Sequence, residues 1–354
     1  MWNKKYKNLR TILYLYSAFR ILHSALFLLF ITLSITGCSP SHHIYKRSRL
    51  LMGTIVEITV TAENEKKADA AITAAFREIR RLEEIMSTYI PSSDISHVNA
   101  YAGIEPVKVN KDLILCVKKA IEFADLSGGA FNIALGPAID LWKVTESDRI
   151  PSSNELDAIR LLIDYKNVIV DKTAGTIFLK KKGMRINLGG IGKGFAADYA
   201  YNILRQYGIN SGIIAIAGDL KVLGKKPDNS LWNIGITHPR KKDDVLAKIH
   251  LTDMSVSTSG DYERFFIKNG KRYHHILSPE TLQPSVGFQS VSIIAKDSTT
   301  TDALSTAIFA MGPVHGLRLL EKLPEIYWLV VLEDGLIKTS ANLTGNAGIK
   351  VDLH

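Results

Sequence analysis

Arg264-Phe265-Phe266-Ile267-Lys268-Asn269-Gly270-Lys271-Arg272-Tyr273-His274-His275-Ile276 is the stretch that decides the fold class. Two runs rich in aromatic residues flank Asn269-Gly270, and Asn-Gly accepts the two positive φ angles of a tight type I′ turn. The spacing predicts an antiparallel hairpin, with strands at 264–268 and 271–276. Glu333-Asp334-Gly335 signals another turn of this kind. Working outward, strand-like runs come in succession at 212–217, 220–224, 231–236, 245–251 and 290–295, and two short ones at 167–171 and 176–180 meet at Thr173-Ala174-Gly175. Leu51 to Thr61 alternates as a strand does. Helical spacing predicts helices over 65–86, 111–126, 154–163, 193–207 and 300–311. In the first, Ala68, Ala71, Ile72, Ala75, Phe76, Ile79, Leu82 and Ile85 form one apolar stripe. Helices and hairpins without steady βα alternation point to an α+β fold, and no internal linker divides residues 51–354.

The chain has 354 residues, 46% hydrophobic and 22% charged, enough for a well-buried core. Its net charge of +9 is concentrated at the front: Lys4, Lys5, Lys7, Arg10 and Arg20 precede residue 38 with no acid among them, which leaves only +4 for the rest. So small a charge, with no nucleic-acid motif, excludes a DNA- or RNA-binding reading. The basic start is followed by an apolar run from Ile21 to Thr36, shorter than a membrane span requires. It closes on Ile35-Thr36-Gly37-Cys38. A charged segment, an apolar core and small residues before a cleavage point make a secretory signal. The ending resembles a bacterial lipobox, which implies a signal peptide of residues 1–37, a diacylglyceryl thioether on Cys38, and a lipidated tether over 38–50. Cys116, in a helical pattern, reads as a buried apolar residue.

Three segments carry chemistry. Ile186-Asn187-Leu188-Gly189-Gly190-Ile191-Gly192-Lys193-Gly194 sets four glycines and a lysine between a strand and a helix. Such a loop brings backbone N–H groups to phosphate oxygens at a helix N-terminus; its spacing is neither that of a P-loop nor of the dinucleotide fingerprint, and a purely structural turn has the same composition. Asp302 and Thr306, four apart, share one helix face, where a carboxylate and a hydroxyl suit Mg2+; an Asp capping the helix start fits the same pattern. In the third segment, Thr258 to Glu263 leads into the hairpin and its His274-His275 pair. Period-2 alternation puts these two on opposite faces, so one can enter a site while the other is structural.

Taken in order, these segments resemble the FAD:protein FMN transferase (ApbE-type) family. The likeness rests on Met52-Gly53-Thr54; Met86-Ser87-Thr88-Tyr89; Gly129-Ala130-Phe131-Asn132 through Gly136-Pro137 to Leu141-Trp142; the glycine–lysine loop; Ala217-Gly218-Asp219; Thr258-Ser259-Gly260-Asp261-Tyr262; His275-Ile276; and Asp302-Ala303-Leu304-Ser305-Thr306. It implies one large α+β domain with a T-fold-like core over 51–354, and Mg2+-dependent transfer of FMN from FAD to a threonine of an acceptor protein, with release of AMP. It further implies that Met52, Tyr89, Ala130, Phe131, Asn132, Asn187, Lys193 and Ile276 line the FAD site. Gly190, Asp302, Ser305 and Thr306 are the implied Mg2+ set, and His275 with Asp302 the catalytic pair. Subunits of membrane redox complexes are the implied acceptors, and the periplasmic side of the bacterial envelope the implied location. Two alternatives remain at this level: an FAD pyrophosphatase giving FMN and AMP, and a non-catalytic flavin-binding lipoprotein. The chain departs from the family pattern at Asn132 and Asn187, where many members have Asp, at Ser278, at Leu282, which replaces a common Gly, and at Ser305, where some members have a metal-binding Asp.

Overall fold

The computed structural model describes residues 14–17, 19–20, 43–341, 343 and 349–353. Residues 14–17 and 19–20 are helical. Most of the expected signal sequence, Cys38 and the expected tether up to residue 42 lie outside the described residues. Residues 43–354 form one compact unit, distinct from 1–42.

β-structure begins earlier than the sequence pattern suggested. β1 (His43–Leu51) and β2 (Thr54–Ala62) are an antiparallel hairpin in which Leu51 pairs with Thr54. The turn between them is Met52-Gly53, with φ of 53° and 67°, the positive pair a two-residue hairpin turn demands. The single strand expected over 51–61 is thus corrected to two strands, and most of the tether expected over 38–50 is an edge strand. Its charges disguised it. Lys46 pairs with Glu57 across the hairpin at 2.7 Å, Arg47 reaches Glu65 and Asp69, and Arg49 lies over the Phe76 ring. Charged side chains on an edge strand discourage pairing with other chains.

α1 (Glu65–Met86) starts at Asn64, whose side chain accepts the Lys67 N–H, and buries the expected stripe from Ala68 to Leu82, with Met86 added and Ile85 only partly covered. Next come α2 (Asp94–Ala100), β3 (Val107–Lys108), α3 (Lys111–Leu126), α4 (Gly136–Trp142) and α5 (Ser153–Ile159). β4 (Val168–Asp171) and β5 (Thr176–Leu179) join β3 in a small sheet. α6 (Gly192–Gln206) opens on the glycine–lysine loop. Behind it run β6 (Gly212–Ile216), β7 (Asp219–Leu223), β8 (Trp232–Thr237), β9 (Val245–Leu251), β10 (Ser255–Gly260), β11 (Phe265–Lys268), β12 (Lys271–His274) and β13 (Phe288–Ala295). α7 (Ser298–Leu320) breaks at Gly312-Pro313, where Gly312 has φ 72°. Proline cannot continue a helix, which is why the periodic pattern stopped at Met311. β14 (Tyr327–Leu332), β15 (Ile337–Thr339) and β16 (Ile349–Leu353) complete the chain.

Eight strands form the main sheet in the order β1-β2-β6-β7-β10-β13-β14-β15, every neighbour antiparallel. α1 packs on β1 and β2, α6 on β6 and β7, and α7 on β10 and β13. On the other side, Trp232, Ile234 and Ile236 of β8 and Ile249 of β9 cluster with Val222, Val256 and Ile294 of the main sheet. β13 is therefore buried along its whole length, which explains its apolar and small residues from Ser290 to Ala295. The expected α+β class is the observed one. Its consequence for the site is that α6 and α7 lie side by side on one face, with the β6–β7 turn at their ends.

Candidate active site

The glycine–lysine loop is clamped before it reaches α6. The Ile186 N–H donates to Asn99 Oδ1 at 2.7 Å, and Asn99 Nδ2 donates back to the Ile186 carbonyl at 3.0 Å. The Asn187 N–H donates to the Ile133 carbonyl at 2.8 Å, and its side-chain oxygen accepts the Gly189 N–H at 2.7 Å. Asn132 caps the short turn beginning at Ile133 by accepting the Ala134 N–H at 2.9 Å. Both asparagines thus work here as acceptors of backbone N–H groups, a task a carboxylate performs equally, so each replaces Asp without losing these bonds. Leu282 has φ 58°, a conformation that favours glycine. Its buried side chain shares a cluster with Trp142, whose indole N–H donates to the Leu282 carbonyl at 2.7 Å.

Two glycines sit against neighbouring groups, Gly190 tightly and Gly194 with no room for a side chain. A Cβ on Gly190 would lie 3.0 Å from Thr306 Cγ2 and 3.2 Å from Phe131, so the loop backbone sits directly on α7 and on the Phe131 ring. A Cβ on Gly194 would lie 2.1 Å from the Ser298 carbonyl oxygen. Two carboxylates other than Asp302 serve the start of α7. Asp297 accepts the Thr300 N–H at 2.8 Å, while Asp198 on α6 accepts the N–H groups of Ser298 and Thr299, each at 2.9 Å, and the Thr299 hydroxyl at 2.7 Å. The capping role open to Asp302 in the sequence is therefore already taken.

Asp302 lies more than a turn inside α7, only 3% exposed. Its Oδ2 accepts the Gly194 N–H at 2.9 Å, and Lys193 Nζ stands 3.1 Å from its Oδ1. The same ammonium is 3.0 Å from Asp219 Oδ2 and donates to the Gly189 carbonyl at 3.2 Å. Burial, then the neighbouring Asp219, push the Asp302 carboxyl up to about 6. Burial works against the Lys193 charge, but Asp219 and Asp302 outweigh it and hold the ammonium above the usual lysine range. The Ser305 hydroxyl donates to the Asp302 carbonyl at 3.0 Å and lies 2.9 Å from Ser259 Oγ, which is also 3.3 Å from Thr306 Oγ1.

The two histidines take opposite faces, as alternation requires. His274 is buried: Nε2–H donates to the Ser285 carbonyl at 2.8 Å and the ring stands edge-on to Phe309. His275 is half-buried and within electrostatic reach of Lys193. Its Nδ1–H donates to the Arg264 carbonyl at 3.3 Å, which leaves Nε2 as the proton-accepting nitrogen. Burial, with the Arg264 charge next, pushes its pKa down to about 3, so the ring is neutral at physiological pH.

The structure brings together Gly190, Lys193, Asp302, Ser305, Thr306, Phe131 and Asn187. Met52 joins them, its methyl 3.9 Å from where a Cβ on Gly192 would be. Ala130 precedes Phe131, whose N–H donates to the Ser127 hydroxyl at 2.9 Å, and Ile276 is buried next to His275. Tyr89 lies in the turn after α1 and is 78% exposed. Sequence reasoning quoted Asp219 and Ser259 within motifs without giving them a role, and gave none to Asn99 and Asp198. For Asp219 the available signal was an acid directly after the Ala217-Gly218 turn; for the others there was none.

The donors at the α6–α7 junction are a carboxylate, hydroxyls and backbone carbonyls. Two buried carboxylates face one ammonium there, leaving residual negative charge. Hard oxygen donors with surplus negative charge fit Mg2+. Among the described residues no group of three or more His, Cys, Asp or Glu side chains is placed to hold a metal ion, so a site here would draw on hydroxyls and backbone carbonyls beside Asp302.

The sequence profile of the ApbE family matches residues 52–330. A FAD:protein FMN transferase of Treponema pallidum is 33% identical over 316 residues, covering 84% of this chain and 87% of that protein. One from Klebsiella pneumoniae is 31% identical over 291 residues, covering 80% and 88%. Among solved structures, the ApbE protein of Thermotoga maritima superposes with a TM-score of 0.80 at 35% identity, over 85% of this chain and 98% of that one. The flavin transferase ApbE of Vibrio cholerae gives 0.77 at 26% identity, over 86% and 99%.

Proposed function

Because the chain belongs to the ApbE family, we propose that it is a flavin transferase that moves the FMN half of FAD onto a threonine hydroxyl of an acceptor protein and releases AMP. The observation that carries this reading is the junction of α6 and α7. There a buried carboxylate, a hydroxyl on the same helix face and a glycine backbone meet beside a lysine whose charge faces the loop.

Asp302, Thr306 and the Gly190 carbonyl would hold Mg2+, with Ser305 tying Asp302 and Thr306 together through Ser259. Bound there, the ion supplies charge neutralisation at the pyrophosphate and polarises the phosphorus on the FMN side. The chain's own groups do the rest. Backbone N–H groups of the glycine loop and the Lys193 ammonium bind the phosphates. Phe131 and Met52 supply apolar surface for the rings. His275 Nε2 takes the proton of the threonine hydroxyl as its oxygen bonds to the FMN-side phosphorus. The bond from that phosphorus to the bridging oxygen breaks, and AMP leaves with the oxygen. A neutral imidazole is ready to accept a proton, and anionic phosphates beside it raise its basicity above that of the free site.

The test is incubation of the purified protein with FAD, Mg2+ and a candidate acceptor, read by intact mass. A mass increase of one FMN on the acceptor, dependent on its threonine, supports transfer. FMN and AMP in solution with an unmodified acceptor identify a pyrophosphatase instead, and retained FAD without turnover identifies a binding lipoprotein. Cys38 and the apolar run before it support export and anchoring by lipid on the periplasmic side of a bacterial envelope, with membrane redox subunits as acceptors. Palmitate-analogue labelling that survives Cys38→Ser would overturn the anchor.

A further inference from the structure

Asp219 takes no part in the reaction as written above, yet it is buried, 3% exposed, and its carboxylate lies 3.0 Å from Lys193 Nζ. Its place is fixed by backbone. It follows the tight Ala217-Gly218 turn, where Ala217 has φ 53°, and it is registered against Ile216 on one side and Ser257 on the other. Asp219 is thus a rigid anchor, whereas Lys193 is a long side chain spanning two carboxylates, with Asp302 at 3.1 Å.

That bridge sets up a competition. Lys193 and a divalent cation are both drawn to Asp302, and two cations on one carboxylate repel each other. A lysine with Asp302 as its sole counter-ion would resist metal binding. A lysine with a second, fixed carboxylate can stay charged and buried while Asp302 turns to the metal. We propose that Asp219 is a positioning residue that keeps Lys193 charged and in place when Asp302 turns to the metal, and that Lys193, bridging both carboxylates, is the counter-ion of Asp302 while the metal is absent. The inference rests on the reading of Asp302 as a Mg2+ ligand.

The experiment is calorimetric titration of Mg2+ alone into the full-length protein in detergent, without FAD. Asp219→Asn should weaken Mg2+ binding by about tenfold or more, because Lys193 is then left with Asp302 alone. Adding Lys193→Met to that variant should restore the affinity, and Asp219→Glu should retain most of it. A merely structural loss at Asp219 would not be repaired by removing a lysine. Unchanged Mg2+ affinity in Asp219→Asn, or a loss that Lys193→Met fails to restore, overturns the proposal. If Asp219→Asn does not fold, Lys193→Met alone decides: it should bind Mg2+ at least as tightly as the parent, and weaker binding overturns the idea. Asp302→Ala separates the two levels. If it abolishes Mg2+ binding while Asp219→Asn is silent, only this inference falls. If it leaves binding intact, the metal assignment falls and takes the inference with it.

Discussion

The Gly194 N–H donates to Asp302 Oδ2 over 2.9 Å. With the Lys193 ammonium 3.1 Å from Oδ1, this backbone bond joins the glycine–lysine loop to α7 at the carboxylate on which the proposed chemistry depends. It also shows why the loop is rich in glycine: the two helices meet backbone to backbone, and a Cβ at 194 would sit 2.1 Å from the Ser298 carbonyl oxygen.

Gly194→Ala should therefore pry α6 from α7. Overpacking of this kind costs about 1–3 kcal/mol or more, and flavin transfer should fall further than stability because Asp302 moves with the helix. Thermal unfolding and transfer rate, measured on the same preparation, check it. A variant with native stability and native rate would contradict the close contact.

Asp302→Asn should abolish Mg2+-dependent transfer while stabilising the ligand-free protein at neutral pH. The sign follows from linkage. The carboxyl is held at about 6 in the fold, above its ordinary unfolded value of about 3.9. The folded state therefore binds more protons between these values, and stability declines as pH rises through that window. The variant removes this penalty, so its melting temperature should exceed the parent's by about 2–4 °C at pH 7, with the advantage vanishing near pH 4. A lower melting temperature at pH 7 would show that the carboxylate stabilises the fold.

His275→Ala should slow single-turnover transfer by about 10²–10⁴-fold and spare FAD binding. His275 is already neutral well below neutrality, its pKa pushed down to about 3, so it does not create the acid limb of the free enzyme. An acid limb is expected from Asp302 instead, whose carboxyl burial pushes up to about 6: Mg2+ half-saturation should worsen as pH drops below this value, because a protonated carboxyl is a poor ligand. The limb should persist in His275→Ala at a lower rate. Its disappearance in that variant would reassign it to the histidine.

Asp198→Ala removes the carboxylate that accepts two N–H groups at the start of α7 and leaves the buried Lys221, 3.6 Å away, without it. Loss of a cap costs about 0.5–2 kcal/mol, and a buried charge stripped of its partner adds to that. Chemical denaturation should register a fall of this order with the slope unchanged. A shift below a few tenths of a kcal/mol would show that Asp297 suffices alone.

How much was legible beforehand depends on how local each signal is. The Asn269-Gly270 hairpin lies where the pattern set it, because turn chemistry is decided by two adjacent residues. The stripe of α1 is likewise local. β1 was hidden because Lys46, Arg47 and Arg49 mask the alternation, and their partners Glu57, Glu65 and Phe76 lie on other elements. The break at Met52-Gly53 was missed because methionine gives no hint of a positive φ.

The sequence by itself determined the α+β class, the opposite facing of His274 and His275, and the pairing of Asp302 with Thr306 on one helix face, since each follows from a backbone period of two or 3.6 residues. Which histidine opens to the site, that Asp302 is a buried interior residue instead of a cap, and that Asp219 shares Lys193 with it were decided only by the tertiary structure. Those relationships join residues from 26 to over 100 positions apart, and no local period encodes the strand order and helix packing that bring their charges within 3 Å or so.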